Sequence, residues 1–309
     1  MRRWPAWCVR VWHSELGWRF GTSPLALAAA LVLLVCVQGS VFANVVAPHN
    51  PFDLASLQLA DARLPPAWLD AGLARYPLGT DDQGRDILSA VLFGARVSLL
   101  VGFASVLLSA GLGVTLGLVA GYKGGWLDAL LMRVCDAVSA LPAILVALLI
   151  AGLGHALLPH AGDRMALVVL VLAIVFGGSG GWVQYARTVR GSTLVERNKD
   201  YVLAARVIGV GPWRIMRRHV LPNVLGPVLV LATIQVATAI LTEATLSFLG
   251  VGAPASSPSL GTLIRIGNDY LFSGEWWITL FPGLMLVALS LSVNLLGDWL
   301  RDALNPRLR

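Results

Sequence analysis

KDYVLAARVIGVGPWRIMRRHVLPN, residues 199–223, is a basic island broken by Gly and Pro, and it runs straight into the apolar stretch VLGPVLVLATIQVATAILTEATLSFL, residues 224–249. A stretch of that length crosses the hydrocarbon core of a bilayer, about 30 Å, as a helix. A barrel strand would be shorter and would alternate apolar with polar residues. Outward from this pair the same pattern recurs over residues 25–47, 97–120, 137–158, 165–183 and 276–296. The chain of 309 residues is 57% hydrophobic and 13% charged, with mean hydropathy +0.74. Too little charge is present to solvate a soluble surface. The expected fold class is all-α: a membrane protein built as a six-helix transmembrane bundle.

Orientation follows from Arg and Lys. Arg2, Arg3, Arg10 and Arg19 precede the first span, and Arg301, Arg307 and Arg309 follow the last. Residues 187–218 hold eight basic side chains against Glu196 and Asp200, whereas residues 48–86 hold six Asp against three Arg. Both termini and the basic island are expected on the cytoplasmic side, with residues 48–89 outside. The net charge of +6 expresses this topology, and no nucleic-acid partner is implied. The first apolar run is span-length and followed by a poor cleavage site at Ala43-Asn44-Val45, so it reads as an anchor and not a leader. Cys8, Cys36 and Cys135 all avoid the outward loops, and no extracytoplasmic disulfide is expected. Five prolines between Pro48 and Pro77 favour ordered turns there, and Pro142 should kink the third span.

Within the island, Asp200 reads as the N-cap of a helix reaching Ile208, with Gly209 as its C′ residue. Pro212 suits the first position of a second helix, in which Trp213, Met216 and Val220 form one apolar stripe beside Arg214, Arg217 and Arg218. Such a helix fits a groove in a partner protein, and it equally fits an anionic bilayer surface. The pattern Ala204-Ala205, Gly209, His219-Val220-Leu221-Pro222 resembles the EAA loop of bacterial ABC-importer permeases, and that resemblance favours docking. The family usually has an acid where this chain has Leu203. LGTDDQGRDILSAVLFGARVSLLVG (residues 78–102), EATLSFLGVGAPASSPSLGTLIRIGNDYLF (243–272) and FPGLMLVALSLSVNLLGDWLRDALNPRLR (281–309) resemble the C-type permeases of dipeptide and oligopeptide importers. In all, the likeness runs from about residue 25 to the end.

This resemblance implies a type I importer permease. It divides the chain into a cytoplasmic segment 1–23, a first helix with its outer loop 24–90, and a permease domain 91–309 carrying the coupling loop 196–223. It also implies a second permease subunit, a pair of cytoplasmic ATPases that bind the ATP and Mg, and an extracytoplasmic binding protein. The coupling residues carried over are Tyr201, Ala204, Ala205, Gly209, Trp213, Met216, His219, Leu221 and Pro222. Related permeases carry peptides, glutathione, nickel or other small solutes.

Three further features carry function or packing. Gly113, Gly117 and Gly121 share one helix face, which serves either packing within the chain or docking against a second permease. Gly177, Gly178, Gly180 and Gly181 loosen the end of the fourth span as a hinge, or line a cavity. Glu243, alone in an apolar span, should face inward or anchor the outer rim. Gly177-x-Ser179-x-Gly181 also matches a nucleophile string, but no His stands on the sixth span, so an intramembrane serine protease lacks its base. Lys123 and Lys199 are the only lysines and neither follows Gly; the chain has no P-loop and no cofactor site of its own. A secondary transporter would show inverted repeats and midplane ionisable groups, which are absent from this sequence.

Overall fold

The computed structural model describes residues 15–51, 59–157, 162–177, 181–253 and 257–304. After a short α1 (Glu15–Gly21), α2 (Pro24–Val41) starts where the Ser23 hydroxyl accepts the amide of Ala26 and Pro24 needs no acceptor. α3 (Ala43–Val46) ends that crossing, and α4 (Ile87–Lys123) begins at Asp86, whose carboxylate caps the Ser89 amide at 2.9 Å. At 37 residues, α4 is about 55 Å long and projects beyond the hydrocarbon.

α5 (Gly125–Ala140) and α6 (Ala143–Leu157) differ from the expected third span of 137–158. The chain turns by 90° between them. Pro142 lacks a donor and forces Leu141 out of the helical region, to ψ 140°. α5 is therefore a separate helix lying crosswise, exposing Trp126 and Leu130, and tied to the bundle by ion pairs at Asp128 and Asp136. α7 (Asp163–Gly177) and α8 (Trp182–Glu196) follow.

α9 (Asp200–Val207) and α10 (Pro212–Ile215) form the polar island. α10 does not stop. A π turn over Met216–Val220 joins it to α11 (Leu221–Phe248), giving one helical rod over Pro212–Phe248. α12 (Leu260–Asn268) and α13 (Trp277–Leu304) complete the chain. No strand occurs among the described residues. α2, α4, the Pro212–Phe248 rod and α13 are long and apolar enough to span, and the count is six if each broken pair, α5–α6 and α7–α8, is one crossing.

Outside the spans, residues 59–86 fold as a cap. The Thr80 hydroxyl donates to the Asp61 carbonyl at 2.6 Å and accepts the Leu64 amide at 2.8 Å, while the Arg85 guanidinium donates to Asp81 at 2.6 Å. The Trp277 indole donates to the Thr80 carbonyl at 3.1 Å, pinning the cap to α13.

Candidate functional site

α9 begins with Lys199 as its N-cap and Asp200 already inside the first turn, one position earlier than the sequence implied; the acid still faces the positive end of the helix dipole. Its end is a Schellman closure. The Gly209 amide donates to the Arg206 carbonyl and the Val210 amide to the Ala205 carbonyl, both at 3.0 Å, with Gly209 at φ +80°. A side chain is disfavoured there.

Val202 and Ala205 of α9 bury with Ile215, Met216 and Val220 against Leu118, Tyr185, Val189 and Val224, in a cluster that seats the loop on the bundle. Trp213 departs from the expected stripe: it is 61% exposed while Ile215 and Met216 are buried. At about 100° per residue Trp213 lies nearly opposite Ile215, and it sits instead beside Arg217 at the mouth of a groove between α4 and α11. Tyr201, Ala204, Gly209 and Pro222 are exposed, Ala205 and Met216 buried, and His219 and Leu221 half-buried.

The sequence reading missed an apolar edge on α9. Leu203 is 44% exposed, Val207 87% and Ile208 77%. Leu203 and Val207 stand one turn apart on the same face, so the residue that replaces the family's usual acid extends this edge. The signal was present in the sequence as three large aliphatics within six residues of a polar island.

The neck of the loop is polar. Tyr201 donates its hydroxyl to the Glu196 carboxylate and accepts the Asn223 amide at 3.0 Å. Burial and then the Glu196 hydrogen bond raise the Tyr201 phenol, keeping it a donor. Lys199 Nζ reaches Glu196 at 2.5 Å. The Arg197 guanidinium donates to the Gly121 carbonyl at 2.8 Å, where the carbonyl end of α4 favours a cation. Arg190 grips Asp128 with two nitrogens, at 2.5 and 2.7 Å, tying α8 to α5.

Gly113, Gly117 and Gly121 line the contact of α4 with α8; a Cβ on Gly113 would stand 2.3 Å from the Trp182 carbonyl oxygen. Gly177 lies against Ala147 of α6, and Gly181 caps α8. Gly178, Ser179 and Gly180 lie outside the described residues. Glu243 is wholly buried and accepts the hydroxyls of Ser98 and Ser247, each at 2.6 Å. The Ser98 hydroxyl also accepts the Leu260 amide at 3.4 Å, so the acid joins α4, α11 and the start of α12.

A family model described as "Binding-protein-dependent transport system inner membrane component" matches residues 113–309. The chain is 38% identical over 284 residues to the dipeptide transport system permease protein DppC of Haemophilus influenzae, covering 92% of this chain and 91% of that one. Against DppC of Escherichia coli K12 the identity is 41% over 285 residues, covering 92% and 89%. Among solved structures, a chain of the inward-facing MetNI methionine ABC transporter has TM-score 0.53 and 21% identity, covering 70% of this chain and 96% of its own. That likeness concerns the fold, an all-α bundle of the type I ABC-importer permease kind. With its apolar spans, its seated polar loop and these matches, the chain belongs to the binding-protein-dependent transport system inner membrane components, and it is a multi-pass permease of that family.

Proposed function

We propose that this chain is the C-type permease subunit of an ATP-driven importer of dipeptides or oligopeptides. It pairs with a second permease, receives cargo from an extracytoplasmic binding protein, and is driven by a pair of cytoplasmic ATPases that hold the ATP and Mg. Both termini and the loop 196–223 are cytoplasmic. Peptide cargo is supported by the dipeptide permeases to which the chain is similar over nine-tenths of its length. The observation that carries the mechanism is the loop itself. α9 presents Leu203, Val207 and Ile208 outward, while α10 passes without a break into α11.

ATPase closure pulls on the α9 edge, and the seated loop transmits the pull to the fifth crossing through a continuous helix. The bundle shifts between its openings only by the difference in contact energy that the two states offer. Val207 is the most exposed of the three apolar side chains. Its burial in a partner groove is worth about 1.5–3 kcal/mol, and an unpaired carboxylate there costs more. Val207→Asp should therefore reduce ATPase co-purification at least about tenfold and abolish uptake of a labelled dipeptide, with normal membrane insertion. Normal co-purification and uptake would remove α9 as the docking edge.

A further inference from the structure

Glu196 is the last residue of α8, and its side chain is 12% exposed although it borders the loop. One carboxylate oxygen meets Lys199; the other accepts the Tyr201 hydroxyl from the first turn of α9. That hydroxyl accepts an N–H of Asn223, whose amide nitrogen also donates to the His219 carbonyl at 2.7 Å. Every donor and acceptor in this relay has one consistent role: Asn223 donates to Tyr201, and Tyr201 donates to Glu196. The relay closes the neck of the loop, joining the residue that leaves the fourth crossing to the residue that enters the fifth.

We infer that Glu196 is a positioning residue for energy coupling, which through Tyr201 and Asn223 locks α8, α9 and the foot of α11 into one moving body. This rests on the docking of α9 proposed above. Without the relay, α9 is seated by its apolar underside, Val202 and Ala205, a contact that is non-directional, and by the Arg206 guanidinium over the Tyr122 ring, 5.2 Å from its centroid, which anchors one point and fixes no hydrogen-bond geometry. The ATPases would then still grip and cycle while the spans follow incompletely. A single exposed ion pair contributes little. A closed chain of hydrogen bonds fixes geometry more than its separate pairs do. The acid works here as an acceptor, so its charge is dispensable. Arg197 ties the same turn to the carbonyl end of α4, so the neck is held from a third side.

The test uses the whole complex in proteoliposomes, measuring ATP hydrolysis and dipeptide uptake on one preparation. Glu196→Ala and Tyr201→Phe should lower uptake per ATP hydrolysed by about fivefold or more, with the ATPases co-purifying at the parental level. Glu196→Gln keeps an acceptor for Tyr201 and should restore the ratio to within about twofold of the parent, well inside the range of a true coupling loss. An unchanged ratio in Tyr201→Phe, or a loss in Glu196→Gln equal to that in Glu196→Ala, overturns the proposal. Should Glu196→Ala fail to assemble, Tyr201→Phe decides alone, because it removes one hydroxyl and keeps the ring. Parental co-purification and uptake in Val207→Asp would instead overturn the docking reading.

Discussion

Gly117 has no room for a methyl group: a Cβ there would lie 2.4 Å from the Ala186 carbonyl oxygen, a backbone atom that cannot swing aside. Where lipid supplies no hydrophobic drive, such close approach is how two helices hold each other. Gly191, on the facing helix, has nothing within 4 Å of its would-be Cβ. Gly117→Ala should thus cost about 1–3 kcal/mol through overpacking, whereas Gly191→Ala should be neutral or gain up to about 1 kcal/mol from helix propensity. Thermal unfolding of the detergent-solubilised complex distinguishes them, and equal melting temperatures would refute the packing role. The spacing of Gly113, Gly117 and Gly121 was legible because helix periodicity alone puts them on one face. That α8 meets this face was not legible, since the spacing says nothing of which helix approaches. Trp213 failed for a related reason: a stripe read at three- and four-residue steps ignores Ile215, whose burial sets the rotation of the helix.

Pro222 explains the least regular element of the lever. Lacking an N–H, it cannot donate to the Arg218 carbonyl, and in a tight helix its ring would press on that same carbonyl. The chain widens just before it, so that the Leu221 amide donates to Met216, five residues back. Such π turns recur at functional sites. Sequence reasoning took the island as a pair of short helices, the second starting at Pro212, because composition marks breaks and does not show where a wider turn carries a helix through. Pro222→Ala restores the donor and should let the π turn tighten to α geometry. Tightening that turn by one residue would rotate α10 by about 100° relative to α11 and swing Ile215 and Met216 out of the cluster that seats the loop, so uptake should fall about fivefold or more and thermal stability should fall with it. Parental uptake in that variant would mean the π turn is incidental to the lever. Pro142 shows the opposite outcome: it stands at a junction with no wider turn to absorb it, and the helix breaks by 90°.

At the scale of the molecule, apolar runs revealed the crossings because the bilayer imposes length on any helix that spans it. They could not separate α5 from α6, since hydropathy averages over the turn at Leu141. Nor did they foretell the cap over residues 59–86, which is held by single contacts such as the Trp277 indole on the Thr80 carbonyl. Charge carries the remaining property, orientation. Six Asp against three Arg in residues 48–86, and eight basic residues against two acids in 187–218, predict under the positive-inside rule that the cap is outside and the loop inside. Asp70 and Asn198 are both exposed, one in the cap and one at the neck of the loop. In a chain whose Cys8, Cys36 and Cys135 are replaced by Ser or Ala, Asp70→Cys should react with an impermeant maleimide added to intact spheroplasts. Asn198→Cys should react only after lysis. The charge argument needs both results together, because a six-span chain with cytoplasmic ends places odd-numbered loops outside and even-numbered loops inside. Labelling of Asn198→Cys in intact spheroplasts, with Asp70→Cys protected until lysis, would invert the molecule and take the α9 edge out of reach of any cytoplasmic ATPase.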